Sequence, residues 1–260
     1  MSVASSILIG LIQGIVEWIP VSSEGILVII FDCCTDVGFA EAVAIALLLH
    51  FGTGVASVIY FHKDIFEIVK VRDWTTGPQK NLLSAVIISS FFTGIIGIPI
   101  YLAMTSIPES LGKYLMILIG VFIIITGIVQ IKQVSKIGRT INDLNVLEMS
   151  LLGIVQGFSI LPGLSRSALT LSFLIGRQVK VEDALKLSYL ISIPVSFGGG
   201  LLGLLALGLL SIDLQHLAGI FTAFVIGILT IGFLMKLLRN IPMGLVALAT
   251  GILVIGSSFL

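Results

Sequence analysis

Three ionisable side chains lie inside long apolar sequence: Glu17, Glu24 and Arg166. A charge at bilayer depth is costly, so such groups pair or face water, and they mark functional sites by default. Ser22 and Ser23 adjoin the acidic pair; Ser165, Ser167 and Thr170 surround the arginine. Arg166 follows Pro162-Gly163, and the residues after it can begin a helix. A helix N-terminus offers backbone N–H groups and a favourable dipole to an anion. A guanidinium adds a planar fork of donors suited to phosphate oxygens. The pattern predicts a phosphate cradle of Arg166, Ser165, Ser167 and Thr170; the plainer reading makes Arg166 a counter-ion for Glu17 or Glu24. Glu17 precedes a Trp-Ile-Pro break. Its carboxylate could ligate a hard divalent cation or act as a general base, or merely cap the broken helix. Ser22 and Ser23 could be nucleophiles if a base lies within reach, although serines also cap helices. His50, mid-way along an apolar stretch, could reach such a site; more often such a histidine makes one interhelical hydrogen bond.

These residues must be held by membrane-spanning helices. Of 260 residues, 57% are apolar and only 11% charged, with 28 Gly and 15 Phe. A soluble domain has roughly a quarter charged residues. The mean hydropathy is +1.18. A cytosolic enzyme and a disordered chain are excluded. Fourteen basic residues balance fourteen acidic ones, leaving no basic face for nucleic acid. Two adjacent cysteines, Cys33 and Cys34, are too few for a disulfide framework or a structural zinc site. Trp18 and Trp74 read as interfacial anchors or packing. Gly198, Gly199, Gly200, Gly203 and Gly208 read as close helix contacts.

A spanning helix needs about 20 apolar residues. Six stretches without Lys, Arg, Asp or Glu qualify: 42–61, 81–108, 114–131, 187–212, 214–235 and 240–260. Two more, 2–31 and 147–176, are apolar but broken by polar residues and proline, and their halves are too short to cross. The first basic residue is Lys63, so the opening stretch does not read as a cleavable signal. If each long stretch crosses once and neither broken one does, every basic residue except Lys113 and Arg166 falls on one side. The positive-inside rule makes that side cytoplasmic. Both termini then lie outside.

The two broken segments resemble each other. Gln13-Gly14 matches Gln156-Gly157; a proline follows each, at Pro20 and Pro162, and a serine stands nine residues after each Gln, at Ser22 and Ser165. Three full spans follow each copy, so the second copy is inverted. The predicted fold is an all-α polytopic membrane protein, one membrane domain over 1–260. Repeat 1 covers 1–131 and repeat 2 covers 146–260. Each carries three of the six full spans and one re-entrant broken-helix pair. Such inverted repeats place a binding site near the mid-plane, where the broken segments meet.

The residues from Gln13 to Gly25, with Glu17-Trp18-Ile19-Pro20-Val21-Ser22-Ser23, and from Leu161 to Thr170, with Pro162-Gly163-Leu164-Ser165-Arg166-Ser167, resemble the two motifs of the undecaprenyl-pyrophosphate phosphatases, also called bacitracin-resistance proteins. His50-Phe51-Gly52-Thr53 is a third match. The resemblance spans nearly the whole chain. It implies hydrolysis of a polyprenyl diphosphate to the monophosphate and inorganic phosphate with a divalent cation, Mg²⁺ or Ca²⁺, recycling a lipid carrier. It also implies interlocked inverted repeats in the plasma membrane and a pocket open to the extracytoplasmic side. Carried over residue by residue, Glu17, Ser22, Ser23 and Arg166 are the catalytic set, and Ser165, Ser167 and Thr170 help bind phosphate. Glu17 and Glu24 would hold the metal, with Gln13 and His50 behind them. Three positions depart from the motif: Gln13 replaces a glutamate, Ile26 a histidine, and Glu24 a Ser or Thr. The partners implied are the lipid substrate and the membrane, with a homodimer left open. The alternatives are a polyprenyl-phosphate flippase or a non-catalytic binder on the same fold.

Overall fold

The computed structural model describes residues 2–35, 37–69, 79–104, 138–161, 163–238 and 243–257, with scattered positions between 114 and 128. These form α1 (Val3–Val16), α2 (Ser23–Cys34), α3 (Phe39–Tyr60), α4 (His62–Val69), α5 (Gln79–Met104), α6 (Val146–Gly157), α7 (Arg166–Gly176), α8 (Val181–Leu207), α9 (Leu214–Leu238) and α10 (Met243–Ser257). Half of the expected span 114–131 lies outside the described residues, as do Pro162, Trp74 and Lys113. Among the described residues, four helices, α3, α5, α8 and α9, are long and apolar enough to cross a membrane. The stretch expected at 240–260 corresponds to α10, of 15 residues.

The expectation for 187–212 misplaces α8 at both ends. The helix begins at Val181, with Glu182 and Asp183 in its first turn. Carboxylates there are favoured by the helix dipole, so a charge-free window misses them. It ends at Leu207 because Gly208 turns with φ +84°. Lys186 inside it forms an ion pair with Asp64 of α4.

Both broken segments are helical hairpins, set by caps. Ser22 caps α2 by accepting the Gly25 N–H (3.1 Å), and Ser165 caps α7 by accepting that of Ala168 (3.2 Å). Asn145 and Glu148 cap α6 reciprocally.

Helix pairs approach through glycines spaced by four, the small-residue packing of membrane interfaces. α1 lies on α9: a Cβ at Gly10 would stand 2.3 Å from the Gly219 carbonyl oxygen, and one at Gly14 2.8 Å from Ile226 Cβ. α6 lies on α5 in the same way, with Gly153 against the Ser89 carbonyl (2.3 Å) and Gly157 against Ile96 Cβ (2.6 Å). α3 packs on both α8 and α9 at the centre and is buried along most of its length. The outer faces carry exposed Phe91, Leu102, Leu205, Phe221, Leu229 and Phe233. That suits lipid contact, because hydrocarbon replaces water around a spanning bundle.

Candidate active site

α1 ends at Val16, and residues 17–20 form a turn that delivers the chain to α2. Proline at position 20 supplies no N–H to continue a helix. The second hairpin turns through Gly163, whose φ of +97° suits glycine, and α7 starts at Arg166. The two tips touch. The Gly163 N–H donates to Ser22 Oγ (2.8 Å), and Ser167 Oγ donates to the Ile19 carbonyl (3.2 Å). A Cβ at Gly25 would lie 3.0 Å from the Gly163 nitrogen, so a larger residue there would press on the second tip.

At this junction Arg166 Nη2 donates to Glu17 Oε1 at 2.5 Å. Both side chains are buried. The other carboxylate oxygen of Glu17 accepts from Gln13 Nε2 (3.0 Å) and Ser23 Oγ (2.9 Å). His50 reaches in from α3. Its Nδ1 lies 2.9 Å from the Ala46 carbonyl, an acceptor, so that nitrogen carries the hydrogen. Its Nε2 lies 3.2 Å from Glu17 Oε2 and 3.2 Å from Glu24 Oε1. The imidazole therefore bridges the two carboxylates. Ser22 and Ser23 each lie 3.4 Å from Glu24 Oε2.

The sequence-predicted residues fall into two groups. Gln13, Glu17, Ser23, Glu24, His50 and Arg166 converge on one point. Ser22 and Ser165 cap helices at its edge, and Ser165 and Ser167 hydroxyls lie 3.1 Å apart. Thr170 is turned away: its hydroxyl donates toward the Arg166 carbonyl (2.9 Å) and meets Ser188 Oγ (2.6 Å) on α8. Trp18 is fully buried, hence packing and not an interfacial anchor. Sequence reasoning missed Ser188 and Tyr189, one serine and one tyrosine in a long apolar helix with no motif around them. A helical register for 187–191 facing the arginine would have been needed to find them.

Residues 6–255 match the family model described as bacitracin resistance protein BacA. The chain belongs to this family. An undecaprenyl-diphosphatase of Methanococcoides burtonii is 34% identical over 235 residues, 86% of each chain. Those so named from Methanothrix thermoacetophila and Haloarcula marismortui are 34% and 35% identical, covering 82% and 80% of this chain and 79% of their own. Position 26 of this BacA-family chain is Ile, and the imidazole beside Glu17 and Glu24 is that of His50, from another helix.

Among the described residues, no group of three or more His, Cys, Asp or Glu side chains is arranged to hold a metal unaided. The donor set suits a hard cation that takes part of its shell from a substrate. Mg²⁺ commonly binds through one or two carboxylates plus phosphate oxygens. Glu17 and Glu24 would supply the carboxylates, and Gln13 Oε1 is a buried oxygen without a hydrogen-bond partner.

Proposed function

We propose that this chain is an integral membrane phosphatase that hydrolyses undecaprenyl diphosphate to the monophosphate and inorganic phosphate. One observation carries the reading: the Glu17–Arg166 pair joins the tips of two helical hairpins at a buried point, with the Ser23 hydroxyl 2.9 Å from the same carboxylate. The terminal phosphate is held by the guanidinium and by the N–H groups at the start of α7. Those donors face the charge that develops on the transferring phosphoryl group. Glu17 accepts the proton of the attacking hydroxyl, from Ser23 or from a water in its place. The phosphorus–oxygen bond to the bridging oxygen breaks, and the polyprenyl monophosphate leaves. When Ser23 attacks, water then cleaves the phosphoserine. A divalent cation, Mg²⁺ or Ca²⁺, on Glu17 and Glu24 would neutralise the diphosphate when bound. His50 keeps the two carboxylates face to face.

The same reading includes an inverted repeat, 1–131 against 146–260. The matching docking of α1 on α9 and α6 on α5 supports it, as does the shared glycine spacing. Twofold-related hairpins that enter from opposite faces put the site at mid-depth. The charge asymmetry of the loops supports a pocket opening to the extracytoplasmic side, with both termini there.

The test is phosphate release by purified protein in detergent, given a farnesyl or longer diphosphate with Mg²⁺ or Ca²⁺. Wild type should release phosphate, and Glu17→Gln and Arg166→Ala should abolish it. No release under any metal or pH, with lipid movement in vesicles, would replace the phosphatase by a flippase.

A further inference from the structure

The break after α1 leaves backbone carbonyls without helical partners, and within a membrane these must be satisfied by the protein. Ile19 and Val21 N–H groups take two of them, at Val16 and Ile19. The Trp18 carbonyl, directly after Glu17, takes a hydrogen bond from the Tyr189 hydroxyl at 2.5 Å, across 171 positions of sequence. Tyr189 is fully buried on α8. Its ring meets Trp18 edge-on (centroids 5.8 Å apart, 65°) and stacks on Phe61 (6.4 Å, 21°).

The neighbouring residue serves the other half of the pair. Arg166 Nη1 lies 3.5 Å from the Ser188 carbonyl, and Ser188 Oγ meets Thr170 at 2.6 Å. Thr170 in turn bonds the Arg166 carbonyl. Two consecutive residues of one spanning helix thus hold both tips, one through the turn that bears the carboxylate and one through the arginine.

We infer that Tyr189 is a positioning residue for Glu17: its hydroxyl fixes the Trp18 carbonyl and thereby the turn that sets the carboxylate against Arg166 and Ser23. The inference rests on the phosphatase reading for its consequence in catalysis, and on geometry alone for the hold on the turn. The phenol is already committed to a carbonyl, so it acts through the backbone and not on substrate.

The experiment compares wild type with Tyr189→Phe, which keeps the ring contacts and removes only the hydroxyl. Ser192→Ala is the control, since its hydroxyl bonds the Tyr189 carbonyl within the same helix (2.6 Å). With a farnesyl or longer diphosphate, Tyr189→Phe should lower kcat about tenfold, the scale of one buried hydrogen bond, and leave KM within about twofold. Amide exchange read by mass spectrometry should quicken in the peptide over 17–25 and nowhere else. Ser192→Ala should change neither. Unchanged kcat in Tyr189→Phe overturns the inference, and so does unchanged exchange over 17–25 or exchange quickened throughout the bundle. If wild type releases no phosphate, the phosphatase reading falls, and the exchange measurement still decides whether Tyr189 holds the turn.

Discussion

Arg166→Met removes the guanidinium, keeps most of its apolar stem, and separates two jobs of one side chain. The first job is structural. Breaking a buried ion pair costs about 3–5 kcal/mol, because the remaining charge is left uncompensated. Glu17 keeps His50, Gln13 and Ser23 as partners. The loss should therefore sit at the low end, about 3 kcal/mol. At roughly 2–4 °C per kcal/mol for a chain of this size, that is about 6–12 °C in the unfolding midpoint. The second job is chemical. Removing a donor aimed at developing charge costs about 100- to 1,000-fold in kcat. The double variant Glu17→Gln/Arg166→Met takes away the unpaired charge as well. Its midpoint should recover most of the lost stability, because replacing both members of a buried pair by neutral groups is often tolerated. Its phosphate release should stay lost. Thermal unfolding in detergent and phosphate release on the same preparations measure both quantities. An Arg166→Met protein with more than a tenth of wild-type release would refute the chemical role. A double variant less stable than the single one would refute the ion pair as the source of the loss.

His50→Ala should lower phosphate release about 10- to 100-fold and His50→Gln by less, since an amide can still bridge the carboxylates; equal loss in both would sink the bridging role. Gly14→Val should lower the unfolding midpoint through overpacking of about 1–3 kcal/mol against Ile226 and Gly227, and Gly157→Val should do the same against Ile96; Gly94→Val, with nothing within 4 Å of the added carbon, is the control for unfolding scans. Glu148 gives a pH prediction. Paired N–H bonds from Arg139 hold its carboxyl at about 2, below the usual 4.5, helped by the Asn145 N–H and Arg177. A depressed folded pKa gives stability that is present above about 4.5 and lost as pH falls toward about 2. The midpoint of wild type should therefore drop more steeply between these values than that of Glu148→Gln, and parallel curves would exclude this clasp as the acid-sensitive element.

The parts legible in the sequence were those that a membrane makes expensive. Glu17, Glu24 and Arg166 stand out because hydrocarbon leaves few explanations for a charge, and pairing is the first of them. Two of the three now lie 2.5 Å apart. The hairpins were legible for a related reason: proline, glycine and serine interrupt apolar sequence at matched distances, and a broken helix in lipid needs its freed backbone groups capped. Helix ends were less legible. α8 begins among Glu182, Asp183 and Lys186, which a search for uncharged windows rejects although each suits its place.

His50 and Tyr189 show what spacing alone does not reveal. Each lies in a largely apolar helix, compatible with an ordinary interhelical bond, and each is given its role by a partner far away in sequence. His50 acquires its role from Glu17 and Glu24 at the tip of another hairpin. Tyr189 acquires its role from a carbonyl that exists as a free acceptor only because α1 breaks at Glu17. The helix break thus does two things at once. It places a carboxylate at a buried junction of two hairpins, and it creates a backbone acceptor beside it. That acceptor lies beside the fully buried Trp18 ring, a neighbouring helix supplies its donor, and the donor's position then bears on the carboxylate.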